Sequence, residues 1–139
     1  MKHIFIDTNI LLDMLLNRMP YRNHALDLFS LQENKKIISY TSSYSILCVA
    51  YFLNKKYPPK LSREIIFRLL EDVQVIEINK SMLLAGINSL TDDYEDAVQI
   101  HCALSNRKIT HVITRNKKDF KDCPLHICTA EKFNDQFNS

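Results

Sequence analysis

Residues 3–9, His3-Ile4-Phe5-Ile6-Asp7-Thr8-Asn9, form a short apolar run that ends in three helix-capping residue types. A brief apolar run without alternation is what a strand buried on both faces looks like. Asp, Thr and Asn all favour the N-cap, where a side-chain oxygen accepts from a free N–H of the first helical turn. A helix is therefore expected to begin at once over residues 10–16 and to close before Arg18-Met19-Pro20.

Outward from this unit, strand and helix signals alternate. Residues 22–33 carry helical apolar spacing, and residues 36–40 read as a second strand followed by the hydroxyl cap Thr41-Ser42-Ser43. A helix over residues 44–56 should stop at Pro58-Pro59, and Ser62 can cap another over residues 61–70. Residues 73–78 read as a strand, and Asn79 caps a helix through about Leu90. Thr91 or Asp92 starts the next helix, running to about Asn106. Residues 110–114 are a strand, 125–128 a short fifth one, and 130–137 a closing helix. Such alternation predicts one three-layer α/β/α domain over residues 1–139, with a mostly parallel central sheet of 4–5 strands. Ligands bind beyond the carboxyl ends of such strands.

Composition narrows the chemistry. Gly86 is the single glycine in 139 residues, so neither a GxGxxG nor a GxxxxGK[ST] phosphate loop can exist. Side chains, or a metal they hold, must supply any phosphate chemistry. The net charge of +2 hides an asymmetry: residues 1–70 carry 10 Lys/Arg against 5 Asp/Glu, and residues 71–139 carry 8 against 11. Four of those acids fall in Asp92-Asp93-Tyr94-Glu95-Asp96. Cys48, Cys102, Cys123 and Cys128 form no disulfide pattern, and Cys123-Pro-Leu-His126-Ile-Cys128 lacks paired zinc-ligand spacing. No signal segment or stretch of about 18 apolar residues is present, so a cytoplasmic protein with reduced thiols and no membrane contact is expected.

Acids at strand ends and at one helix start are the candidate site. Asp7 ends the first strand; Asn116 and Asp119 follow the fourth, whose last residue is Thr114. Asp96 shares a helix face with Ile100 and Ala103 at i, i+4, i+7, and an unpaired carboxylate there is costly. Asp93 lies one turn before it, whereas Asp92 and Glu95 fit a capping pattern directed at solvent. Carboxylates with an amide oxygen are hard ligands that suit Mg²⁺ or Mn²⁺. Such an ion activates water for in-line attack on a phosphodiester. Arg115, Lys117, Lys118 and Lys121 stand beside these residues as phosphate contacts.

Ile4-Phe-Ile-Asp7-Thr8-Asn9, Asp93-Tyr-Glu-Asp96-Ala97 and Ile113-Thr-Arg-Asn116-Lys-Lys-Asp119-Phe120 together resemble the three signature blocks of PIN-domain proteins, in order along nearly the whole chain. The Thr41 to Lys56 segment is similar to the family's third helix. The resemblance implies a PIN-like fold and an Mg²⁺- or Mn²⁺-dependent endoribonuclease. It also implies a VapC-like toxin of a type II toxin–antitoxin module, with an RNA substrate, a cognate antitoxin and a homodimer. By position, Asp7, Asp96, Asn116 and Asp119 would be the metal-binding and catalytic residues, with Asp93 a further ligand. Thr8, Asn9 and Thr114 would support them. Two departures stand out: Cys48 occupies the place of a glutamate common in the third helix, and Asn116 that of a common aspartate. Losing two charges weakens divalent-ion affinity and argues against a second metal, and it leaves open a PIN-like module that has lost catalysis and binds RNA or a protein.

A receiver-like signalling domain would want an acidic pair at the first strand end, and Asp7 stands alone there. Residues 10–16 and 44–53 carry more apolar side chains than one buried face needs, so either can form a partner interface; a core helix is the competing reading, more so for 44–53.

Overall fold

Five parallel strands form the sheet: β1 (Lys2–Ile6), β2 (Ile37–Ser42), β3 (Gln74–Ile76), β4 (Ile109–Ile113) and β5 (His126–Cys128), in the order β3-β2-β1-β4-β5. The computed structural model describes residues 1–138. The chain winds outward from β1 through β2 to β3, then returns to lay β4 and β5 on the other side. The crevice between β1 and β4 is therefore the topological switch point, where ligands bind in open parallel sheets.

Side chains alternate across β1. Ile4 and Ile6 enter the core beneath α1 (Thr8–Leu15), α2 (Arg22–Glu33), α3 (Ser43–Lys56), α4 (Pro59–Asp72) and α7 (Ala130–Asn138). Phe5 enters the opposite core with Val98, Ile100, Val112 and Phe120, on the side of α5 (Lys80–Ile87) and α6 (Tyr94–Leu104). This is the expected three-layer arrangement.

Several boundaries differ from the sequence reading. Pro58-Pro59 not only stops α3 but opens α4, because proline at the first helical position forfeits no hydrogen bond. Ser62 is consequently buried inside α4, its hydroxyl donating to the Tyr57 carbonyl at 3.5 Å rather than capping. β3 keeps three residues of its expected six, and α5 ends at Ile87 rather than Leu90. Asp93, not Asp92, caps α6: its Oδ1 accepts from the Asp96 N–H at 3.0 Å.

The two apolar stretches also sort differently. Ile10, Leu11 and Leu12 are buried, with Met14, Leu15 and Leu16 packed on the same core, so the 10–16 stretch has no spare face. On α3, Ile46, Val49 and Leu53 are core, but Leu47 is 69% exposed and Tyr51 is exposed beside it. Gly86 lies within α5 where α6 crosses. A Cβ there would stand 2.8 Å from Val98 Cγ2 and 3.2 Å from Tyr94 Cε1, so the glycine sets how closely α6 approaches.

Candidate active site

Asp7 leaves β1 and caps α1, so its carboxylate is fixed by backbone at the switch point. Oδ1 accepts from the Thr8 N–H at 2.8 Å and Oδ2 from the Thr114 hydroxyl at 2.8 Å. The Asp7 N–H donates to the Ile113 carbonyl at 3.0 Å, tying the ends of β1 and β4 together. The Thr114 hydroxyl also accepts from the Asn116 N–H at 3.1 Å. Asp7 is 7% exposed, and burial pushes its pKa up; the Thr114 and Thr8 hydrogen bonds oppose this, the Asp119 charge adds to it and Arg115 offsets it.

Asp96 projects from the first turn of α6 toward the same place. Its pKa is pushed up to about 7, first by burial and then by the charges of Asp93, Asp119, Asp7 and Glu95. Asp96 thus lies within the fields of Asp7 and Asp119, and Asp7 within that of Asp119. Asp119 belongs to a 3₁₀ turn (Lys117–Phe120), and its N–H donates to the Asn116 carbonyl at 3.0 Å. Asn116 borders a cavity on the side of α1 and α7. Asp93 spends one oxygen on its cap and lines, with Asp119, Lys118 and Lys121, a crevice of about 220 Å³.

The supporting residues separate. Thr8 shares a 2.7 Å hydrogen bond with the Ser45 hydroxyl, and Asn9 Oδ1 accepts from Arg18 Nη1 at 3.3 Å. Arg115 is committed elsewhere: Nε and Nη2 donate to the two oxygens of buried Asp13 at 2.8 and 3.1 Å, and its guanidinium lies 4.0 Å from the Tyr21 ring centroid. The charge of Lys117 is felt by Cys128, whereas Lys118 reaches the acidic crevice.

Sequence reasoning missed Ser45, Gln99 and Asp13. Ser45 is the buried α3 residue facing Thr8, and it accepts from Gln99 Nε2 at 2.8 Å; Gln99 Oε1 has no partner among the described residues. Cys48 lies a turn further along α3, beside Tyr44. A lone amide between Val98 and Ile100, and a lone acid, Asp13, in the aliphatic run of α1, were the available signals.

Among the described residues, no three His, Cys, Asp or Glu side chains already form a metal-holding group. The donor chemistry nevertheless fits Mg²⁺, which keeps several waters and is held through one or two carboxylates. Asp7 and Asp96, whose pKa values the neighbouring acids raise, are the groups a shared cation would relieve.

Fold and site together define a parallel α/β domain with an acidic centre at its switch point. The PIN-domain family model matches residues 3–118, and the chain belongs to that family. Solved structures agree in fold. VapBC-1 from nontypeable Haemophilus influenzae superposes with a TM-score of 0.69 at 19% identity, over 93% of this chain and 98% of that one. A toxin–antitoxin complex from Klebsiella pneumoniae gives 0.68 at 21%, over 91% and 97%. VapC20 of Mycobacterium tuberculosis, a sarcin–ricin loop cleaving toxin, gives 0.65 at 14%, over 86% and 94%. No curated protein matches the sequence.

Proposed function

We propose that the chain is a metal-dependent endoribonuclease, the toxin of a type II toxin–antitoxin module. The observation that carries this is that Asp7 and Asp96 sit in the field of Asp119, and Asp96 also in that of Asp7, at the switch point of a PIN domain, in a family generally of nucleases. Mg²⁺ or Mn²⁺ among these acids would supply an activated water and offset charge on the leaving oxygen. In this reading Asp7 and Asp96 are the principal ligands, Asp119 adds field, and Asn116 contributes a neutral oxygen. Thr114 and Thr8 hold the Asp7 carboxylate in place; Ser45 and Gln99 steady Thr8. Lys118 and Lys121 attract the RNA backbone toward the acids.

A homodimer is part of the proposal. It would form across the exposed apolar residues Leu47 and Tyr51 of α3 and Leu83, Leu84 and Ile87 of α5; Leu47 and Leu83 line a cavity of about 270 Å³. Phe67 and Leu70, both exposed on α4, offer a separate surface for an antitoxin; Phe67 lines a concavity of about 1070 Å³ together with charged side chains of the same helix, Arg63 and Glu71 among them. The proposed place of action is the cytoplasm; no helix among the described residues is long and apolar enough to cross a membrane.

Cleavage of RNA by the purified chain in Mg²⁺ tests the reading. Asp7→Asn and Asp96→Asn should each lower the rate more than ~100-fold while leaving the fold intact. Activity surviving both changes in a nuclease-free preparation overturns it. The second reading, a PIN module that binds RNA or a protein without cleaving, is favoured by the neutral Asn116 and the absence of any acid in α3. Calorimetry that detects no Mg²⁺ or Mn²⁺ binding at millimolar concentration would select it.

A further inference from the structure

We propose that the cavity between α1, α2, the β4–3₁₀ loop and α7 is a base-recognition pocket that takes a guanine beside the scissile phosphate. The proposal rests on the nuclease reading for its place in the reaction, but not for the binding itself. The cavity holds about 270 Å³. That is below the usual range of whole-ligand pockets, which begins at about 300 Å³, and suits a single base. Ile10 and Ala130 supply apolar lining, and Tyr21, His24, Arg115, Asn116 and Glu131 supply polar and aromatic groups.

Its position follows from the fold. Asp7 caps α1, and Ile10 lies three residues along that helix, about 4.5 Å further on its axis. Asn116 borders the cavity, and its N–H bonds the same Thr114 hydroxyl that holds Asp7. A nucleotide whose phosphate sits at the acids can therefore place its base here.

The chemistry selects guanine. Arg115 is pinned by buried Asp13 and stacked on Tyr21, and Nη1 has no hydrogen-bond partner among the described residues. A guanidinium edge matches the O6 and N7 acceptors of guanine. Adenine would present its N6 donor to that edge instead. Glu131 is exposed, and its carboxylate lies 3.7 Å from His24 Nε2, so it remains open to accept from the N1–H and N2–H of the same base. Among the four bases, guanine alone sets two adjacent acceptors beside two adjacent donors. An unstacked RNA base is read on just these edges.

Titration of the full chain with GMP, AMP, CMP and UMP in the absence of divalent ions, followed by calorimetry, tests the pocket. GMP should bind at least about ten-fold more tightly than the others. Glu131→Gln and Tyr21→Ala, both at exposed positions, should each remove that preference without changing the melting temperature. Equal binding of all four nucleotides, or a GMP preference unaltered by both variants, overturns the proposal. Cleavage-site mapping on an RNA of mixed sequence separates the two readings. Asp7-dependent cleavage with no guanine preference overturns the pocket alone; GMP selectivity in a chain that cleaves nothing overturns the nuclease alone.

Discussion

Asp96 is the residue whose ionisation state couples stability to function. Its carboxyl is held up to about 7, by burial first and by four neighbouring acids after that. In the unfolded chain an aspartate ionises near the ordinary value of about 3.9. Between those values the folded state binds the extra proton, so stability falls as pH rises from about 4 to about 7. Asp96→Asn removes this loss. The variant should melt a few degrees above the natural chain at pH 8 without divalent ions, and level with it at pH 4. Millimolar Mg²⁺ should reverse the order at pH 8, because only the carboxylate gains a ligand. Melting curves at both pH values, with and without the ion, check all three outcomes.

At the scale of elements, α6 carries the acid and α5 decides where α6 lies. Gly86→Ala would force its methyl into the stiff, β-branched Val98 side chain. Overpacking costs about 1–3 kcal/mol, against about 1 kcal/mol regained in helix propensity. The expected result is near-neutral to mildly lower stability with a several-fold loss of RNA cleavage, as α6 moves Asp96 away from Asp7. Rate and melting temperature measured on the same preparation check it; an unchanged rate contradicts it. The sequence made much of this scale legible. The apolar run before Asp7 and the hydroxyls at the end of β2 carry strong local signals, and so does the face shared by Asp96, Ile100 and Ala103. Where two adjacent residues cap equally well, as Asp92 and Asp93 do, only the path of the chain decides. The Thr8–Ser45–Gln99 contact was out of reach for a similar reason. It joins residues 54 positions apart across α3 and α6, and depends on how the helices are rotated. The pairing of Arg115 was out of reach as well: beside Lys117 and Lys118 it looks like part of a basic loop, while its partner Asp13 lies 102 residues earlier.

At the scale of the whole molecule, a predominantly apolar patch on α3 and α5 predicts self-association. Leu47→Glu should turn a dimer into a monomer at micromolar concentration, read by light scattering, with the fold unchanged because Leu47 is 69% exposed. A natural chain that is already monomeric would refute the interface. The sheet order has another consequence. β1 pairs with β2 from residues 37–40 and with β4 only from residues 109–113, and Asp7 meets Thr114 across 107 positions. During synthesis, one edge of β1 stays bare until residues 109–113 have left the ribosome, and that edge is the one that later forms the crevice beside Asp7. On the nuclease reading proposed above, a copy that still lacks β4 has no assembled site with which to cut RNA.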